Sequence, residues 1–243
     1  MENVNTLNIE NTLTLIELFE TPPEERDQDW LDEFLEVIPT ASLCSLPTQI
    51  QQGADGFPYF YLCVPESESE FDAYSVVDAL DYALNVGCGI AIFSDPNDLE
   101  KPEWVFTFGN LWALRQYGNF YGDPEIKIPN LKQERPSEEE LKKPRQIQVQ
   151  APSDADLPLF ARSAIAKFLS DTLGLKNPKV VSITDPLLNP SRAIVFSDLA
   201  PEKFEKEEHF VQLMNALRWF FPLTQGLLAS VPQLATHSVP LLP

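Results

Sequence analysis

Trp30, Leu31, Phe34, Leu35 and Ile38 recur at helical spacing, with Asp29, Asp32, Glu33 and Glu36 around the other side. The pattern predicts a helix over residues 24–38, ended by Pro39. Before the Pro22-Pro23 break, Leu15, Ile16 and Phe19 predict a shorter helix that Asn11 would cap. Two extended runs follow, residues 41–50 and 57–64, and the loop between them holds Gly53 and Gly56, so they read as a hairpin. Residues 74–86 return to helical spacing through Val76, Val77, Leu80 and Leu84, with Gly87 and Gly89 bracketing the end. Residues 89–94 and 103–108 read as strands, the second alternating Trp104, Phe106 and Phe108. Residues 110–117 turn helical again.

Residues 121–156 change character. Pro124, Pro129, Pro136, Pro144 and Pro152 recur, and Lys127, Lys132, Arg135, Lys142, Lys143 and Arg145 mix with Glu138, Glu139 and Glu140. This reads as a Pro-rich charged linker with one short helix at 137–143. Its six basic residues are as well placed to lie on the acidic part of the chain as to reach a partner. Beyond it come a helix at 157–173, strands at 179–184 and 192–199, a helix at 205–221 and a last strand at 226–231.

The order helix, strand, strand, helix, strand thus occurs twice. At an offset of 137, residues 57–92 align without gaps on 194–229, and Leu62, Glu68, Glu70, Ala79, Leu80 and Gly89 meet Leu199, Glu205, Glu207, Ala216, Leu217 and Gly226. The Phe-Ser-Asp triplets at 93–95 and 196–198 support a competing alignment in which different strands correspond. The expected architecture is α+β, with two related modules, each an antiparallel sheet packed against helices. They span residues 1–120 and 157–243, joined by the linker. The second should be shorter, because it lacks a counterpart of residues 104–117.

Charge is divided unevenly along this chain. Residues 1–100 hold 21 acidic side chains and one basic one, Arg26, whereas 16 acids face 16 bases in the rest, so the formal charge of −20 sits in the N-terminal part. Such a field repels phosphates and anionic lipid, which argues against nucleic-acid and membrane-surface partners and favours a protein with basic or apolar surface. Without a leader pattern or a long apolar span, and with Cys44, Cys63 and Cys88 forming no C-x-x-C pair, the chain reads as cytoplasmic with reduced thiols.

Catalytic signals are thin. His209 lies in a helical pattern and His237 in a Pro-rich tail; neither belongs to a cluster, and no G-x-S-x-G elbow occurs. Gly87-Cys88-Gly89 lacks the third glycine of a dinucleotide loop and precedes a strand where such a loop follows one. Nine glycines leave little backbone to cradle phosphates. Glu66, Glu68, Glu70 and Asp72 lack the glycine and terminal glutamate of a calcium loop. No catalytic residue, cofactor or metal site is therefore assigned. Asp95 and Asp198, each ending a strand, are the candidates for an alternative reading, a carboxylate- or metal-dependent hydrolase, and each would equally serve to cap a turn. Trp112, Phe120 and Tyr121 lie beyond the aromatic strand and are the candidate partner-binding residues, since aromatics are enriched at interface centres.

Residues 29–38, 41–50, 57–64, 74–86, 89–94, 103–108 and 110–117 together give helix, two strands, helix, two strands, helix on a strongly acidic chain. In this order and charge the chain resembles the type III secretion chaperone fold. The resemblance implies a small acidic protein that holds a partner polypeptide in extended form against hydrophobic patches, as a homodimer or, with two units in one chain, as a monomeric pseudo-dimer. It carries over no residue-level function. The expected function is a non-enzymatic acidic protein-binding or chaperone-like module.

Overall fold

The computed structural model describes residues 7–65, 72–126 and 146–242. It is mixed helix and sheet, with sheets packed against helices, and divides into two compact units between Leu111 and Trp112. That division falls earlier than residue 120, and residues 112–126 belong to the second unit. The short helix expected at 137–143 lies outside the described residues.

The first unit begins with α1 (Ile9–Glu20), capped by Asn8, whose Oδ1 accepts from the Asn11 amide at 3.2 Å. Asn11, the residue expected to cap, instead donates its side-chain amide to Thr40 Oγ1 at 2.7 Å. A 3-10 turn (Pro23–Glu25) leads into α2 (Gln28–Val37), capped by Asp27 through the Trp30 amide. Strands β1 (Leu43–Gln52) and β2 (Pro58–Cys63) form the expected hairpin, with a register shift between Ser45 and Ile50. A two-residue strand, β3 (Ala73–Tyr74), pairs with β1.

Next comes α3 (Val76–Val86). A Ser75–Asp78 capping box starts it, and Gly87, at φ +80°, stops it in the left-handed conformation that glycine adopts freely. Strands β4 (Gly89–Phe93) and β5 (Trp104–Phe106) complete the sheet in the order β3-β1-β2-β4-β5. Helix α4 (Phe108–Tyr117) follows. Thr107 and Asn110 box its start, each side-chain oxygen accepting from the other residue's amide.

In the second unit, β6 (Gln148–Gln150) precedes α5 (Leu159–Leu173), β7 (Lys179–Thr184), β8 (Arg192–Phe196), α6 (Glu207–Arg218), β9 (Gly226–Leu228) and β10 (Val239–Pro240). The sheet runs β10-β7-β8-β9, and β6 joins β7 beside its Ser182–Thr184 end. Part of the expected linker is therefore a sheet strand. Phe196 meets Phe221 at 6.3 Å on one side of β8, while Val181, Ile183, Ala193 and Val195 form a cluster that Val149, Leu188, Leu228 and Leu234 cover.

Neither sheet is purely antiparallel as expected. β2 and β4 run parallel, as do β8 and β9. The reason is connectivity: a strand followed by a packed helix returns to the sheet by a crossover, which delivers the next strand parallel to the first. Both units share the connection hairpin, helix, parallel strand. The gapless repeat fails, however. At an offset of 137, Val76 at the start of α3 falls on Leu213 in the middle of α6. The pairing also places Gly89 opposite Tyr59 but Gly226 opposite Ala193, so the second crossover is three residues longer. Internal duplication is not established.

Candidate binding surfaces

Ten carboxylates of the first unit lie on α1, on α2 and on the turn between them. Glu10, Glu17, Glu20, Glu24, Glu25, Asp27, Asp29, Asp32, Glu33 and Glu36 are all exposed. The core beneath is aromatic. Trp30 stacks on Phe34 at 5.1 Å, and Phe34 lies 5.0 Å from Trp104 and 6.1 Å from Phe106, so apolar spacing on α2 and alternation on β5 describe two sides of one contact.

Arg26, the one basic residue among the first hundred, does not dilute that acidic surface. Its Nε donates to the Thr21 carbonyl at 3.0 Å and its Nη2 to Glu103 at 2.7 Å, while its guanidinium carbon sits 4.7 Å from the Trp30 ring centre. The side chain is only 11% exposed. Glu103 is held from the other side by the Ser94 hydroxyl at 2.8 Å. Arg26 is spent on the fold.

The second unit carries a different feature. A groove of about 620 Å³ is walled by Leu188, Met214, Arg218, Leu223, Leu227 and Leu228 and runs along β9. Arg218 donates to the Pro222 carbonyl at 2.7 Å and to that of Gln225, tying the end of α6 to the turn before β9. Burial depresses its pKa from the usual arginine value. The opposite wall hangs on Asp185, a buried carboxylate that accepts from the Leu187 amide at 3.0 Å and so shapes the turn between β7 and β8. Sequence reading missed Asp185; an Asp-Pro step between two strands was its available signal.

Among the described residues, no strand pairs with the outer edge of β9, whereas the corresponding edge of β4 is filled by β5. Both parallel strands begin on a glycine with no room for a side chain. A Cβ on Gly89 would overlap the Phe106 carbonyl oxygen and come within 2.7 Å of the Tyr59 ring; one on Gly226 would lie 2.7 Å from the Arg192 carbonyl oxygen.

The residues singled out by sequence are placed as follows. Trp112 and Phe120 are buried, at 1% and 4% exposure, and Tyr121 is half-buried. Trp112 packs on Phe160 and Phe221 at 6.3 and 5.8 Å and donates its indole N–H to Gln116 at 2.7 Å, so its ring belongs to the core of the second unit. The helix starts at Phe108, which puts Phe108, Leu111 and Trp112 on one buried stripe. Tyr121 gives its carbonyl to the Leu223 amide at 2.9 Å. Of the three, only Tyr121 is in part open to solvent.

Asp95 accepts from the Asn97 amide at 2.7 Å and so caps its own turn, whereas Asp198 accepts from the Lys179 amide at 2.6 Å and holds the first residue of β7. His209 and His237 are exposed. Cys88 is buried, and burial pushes its thiol up to about 12, against a smaller opposing effect of the Phe60 backbone. A thiol so shielded is a packing group, not a nucleophile. Among the described residues no group of three His, Cys, Asp or Glu is placed to hold a metal, and no helix is long and apolar enough to cross a membrane. Comparison with known protein families, curated proteins and solved structures found no match.

Proposed function

We propose that this chain is a non-enzymatic protein-binding module whose acidic first unit recruits a partner with basic surface. The observation that carries the reading is the segregation of charge. Ten carboxylates of α1, α2 and the turn between them are exposed, while the one cation in that stretch is folded inward against Trp30 and Glu103. A field of one sign raises association rates with an oppositely charged partner and makes them fall with ionic strength. The use of Asp95 as a turn cap and of Asp198 as a backbone tie to the start of β7 supports a binding role over a carboxylate-dependent hydrolase.

The test is affinity capture with the full chain at low and high salt, beside a variant carrying Asp29→Asn, Asp32→Asn, Glu33→Gln and Glu36→Gln. These positions are exposed on α2, so the fold should survive. A defined protein that is retained at low salt and lost both at high salt and from the variant is the expected result. Equal retention by both forms, or no partner at either salt, counts against the reading.

A further inference from the structure

We infer that the outer edge of β9 accepts an antiparallel strand from a partner polypeptide, one with two large apolar side chains at alternate positions, in the way that β4 accepts β5. The inference extends the reading of the chain as a protein-binding module to its second unit.

The two sheets supply the argument. In each, a hairpin strand pairs in parallel, across a helical crossover, with a strand that begins on a glycine. On the far side of β4, Ile90, Ala91 and Ile92 face Phe106, Val105 and Trp104. The bound strand brings Trp104 and Phe106 against Phe34, and β4 is buried throughout. The matching positions after Gly226 are Leu227, Leu228 and Ala229, and all three are half-buried.

Among the described residues no strand takes up the outer N–H and C=O groups of β9, and such an edge beside an apolar channel is the arrangement in which extended peptides are bound by strand addition. The groove supplies the channel, with Leu188, Met214, Leu223, Leu227 and Leu228 as its apolar walls. Arg218, its one charged wall, has donors committed to Pro222 and Gln225, so it selects weakly for charge. Binding here should therefore be insensitive to salt, unlike binding at the acidic surface. A second copy of the chain is the poorer occupant. β9 has Gly226 and Leu228 at alternate positions and so brings one of the two large side chains.

The probe is a fluorescent peptide copying residues 101–108, which contain β5. It is titrated against the full chain, with backbone hydrogen exchange measured on the same sample. Expected are saturable binding that changes little with salt and exchange slowed about tenfold or more at the one of the neighbouring Leu227 and Leu228 amides that points away from β8. Of two peptide copies N-methylated at neighbouring residues, one should bind normally and the other fail, because successive amides of a strand point to opposite sides. Leu223→Asp, at an exposed groove position, should weaken the peptide about tenfold with the circular dichroism unchanged.

The inference is overturned by no binding up to about 1 mM peptide, by slowed exchange at β4 instead of β9, or by equal loss with both methylated copies. It is also overturned if that outward amide is already protected without peptide, whether in a dimer that dissociates on dilution or in a monomer that loses protection when residues 127–145 are deleted. Failure of the peptide with acid-dependent capture intact refutes the strand site alone. Peptide binding without acid-dependent capture refutes the role given to the first unit.

Discussion

Replacing Arg26 with methionine keeps an apolar stem over Trp30 and removes every donor. The change deletes a hydrogen bond to the Thr21 carbonyl, an ion pair with Glu103 and a guanidinium 4.7 Å from the Trp30 ring centre. Hydrogen bonds to charged groups contribute about 1.5–3 kcal/mol, and a partly buried cation over an indole about 0.5–2 kcal/mol. With side chains 11% and 23% exposed, the Arg26–Glu103 pair is better shielded than a surface pair but still touches water. A loss of about 2–4 kcal/mol from the first unit is expected.

The substitution also removes a positive charge from the most acidic part of the chain, and that contribution must be separated. Self-repulsion among exposed acids is screened at about 1 M salt, whereas a mostly buried contact is screened much less. Native-state hydrogen exchange of the β1, β2 and β4 amides reads the first unit without assuming that both units unfold together. The loss should persist at high salt, and a double-mutant cycle with Glu103→Gln should give a coupling of about 1 kcal/mol or more. A loss that vanishes at high salt, or a coupling near zero, would show that Arg26 is only a counter-ion and that its contacts contribute little.

Gly89→Ala and Gly226→Ala should each destabilise their own unit by about 1–3 kcal/mol or more, since the new methyl meets a neighbouring strand's carbonyl oxygen; a melting temperature within a degree of the parent would contradict this. Trp112→Ala should cost about 3–5 kcal/mol by emptying the contact with Phe160 and Phe221, read as lost protection in β7 and β8, whereas a surface tryptophan would cost little. Cys88 should resist iodoacetamide at pH 8.5 in the folded protein and react once denatured. Its folded pKa, about 12 against an ordinary 9.0, lies above the unfolded one. Its contribution to stability is therefore full below pH 9 and lost as pH rises toward 12, and Cys88→Ala should flatten that alkaline decline.

Long periodic stretches were legible in the sequence. The apolar stripe of α2, the β1–β2 hairpin and the boundaries of β7 all follow from residue pattern, because each element buries one face and exposes the other. What stayed hidden depends on partners distant in the chain. β3, β6 and β10 are two or three residues long, too short for any period, and exist because β1 and β7 have edges to fill. The parallel pairing was within reach, since a helix between two neighbouring strands implies a crossover. Trp112 was offered as a surface group because Phe108 was assigned to the strand, which hid the buried stripe that Phe108 and Leu111 make with it once Thr107 and Asn110 start the helix. The groove had no sequence signal of its own, since its walls come from the turn before β8, from α6 and from β9, which are far apart in the chain.

The crossovers also impose an order in time. The β1–β2 and β7–β8 hairpins close short turns, a microsecond event for such pieces. Bringing β4 beside β2 joins residues thirty apart along the chain (59 and 89), and joining β9 to β8 spans thirty-three (193 and 226). That closure must be met before its contacts repay it, so it sets the pace for each unit. Meanwhile the inner strands stand with an edge and two apolar faces open, the condition in which half-folded chains stick to one another. The carboxylates of α1 and α2 leave the ribosome before any of these strands, and their mutual repulsion already acts between nascent chains. On this physics the charge would hold such chains apart before there is a fold for it to decorate.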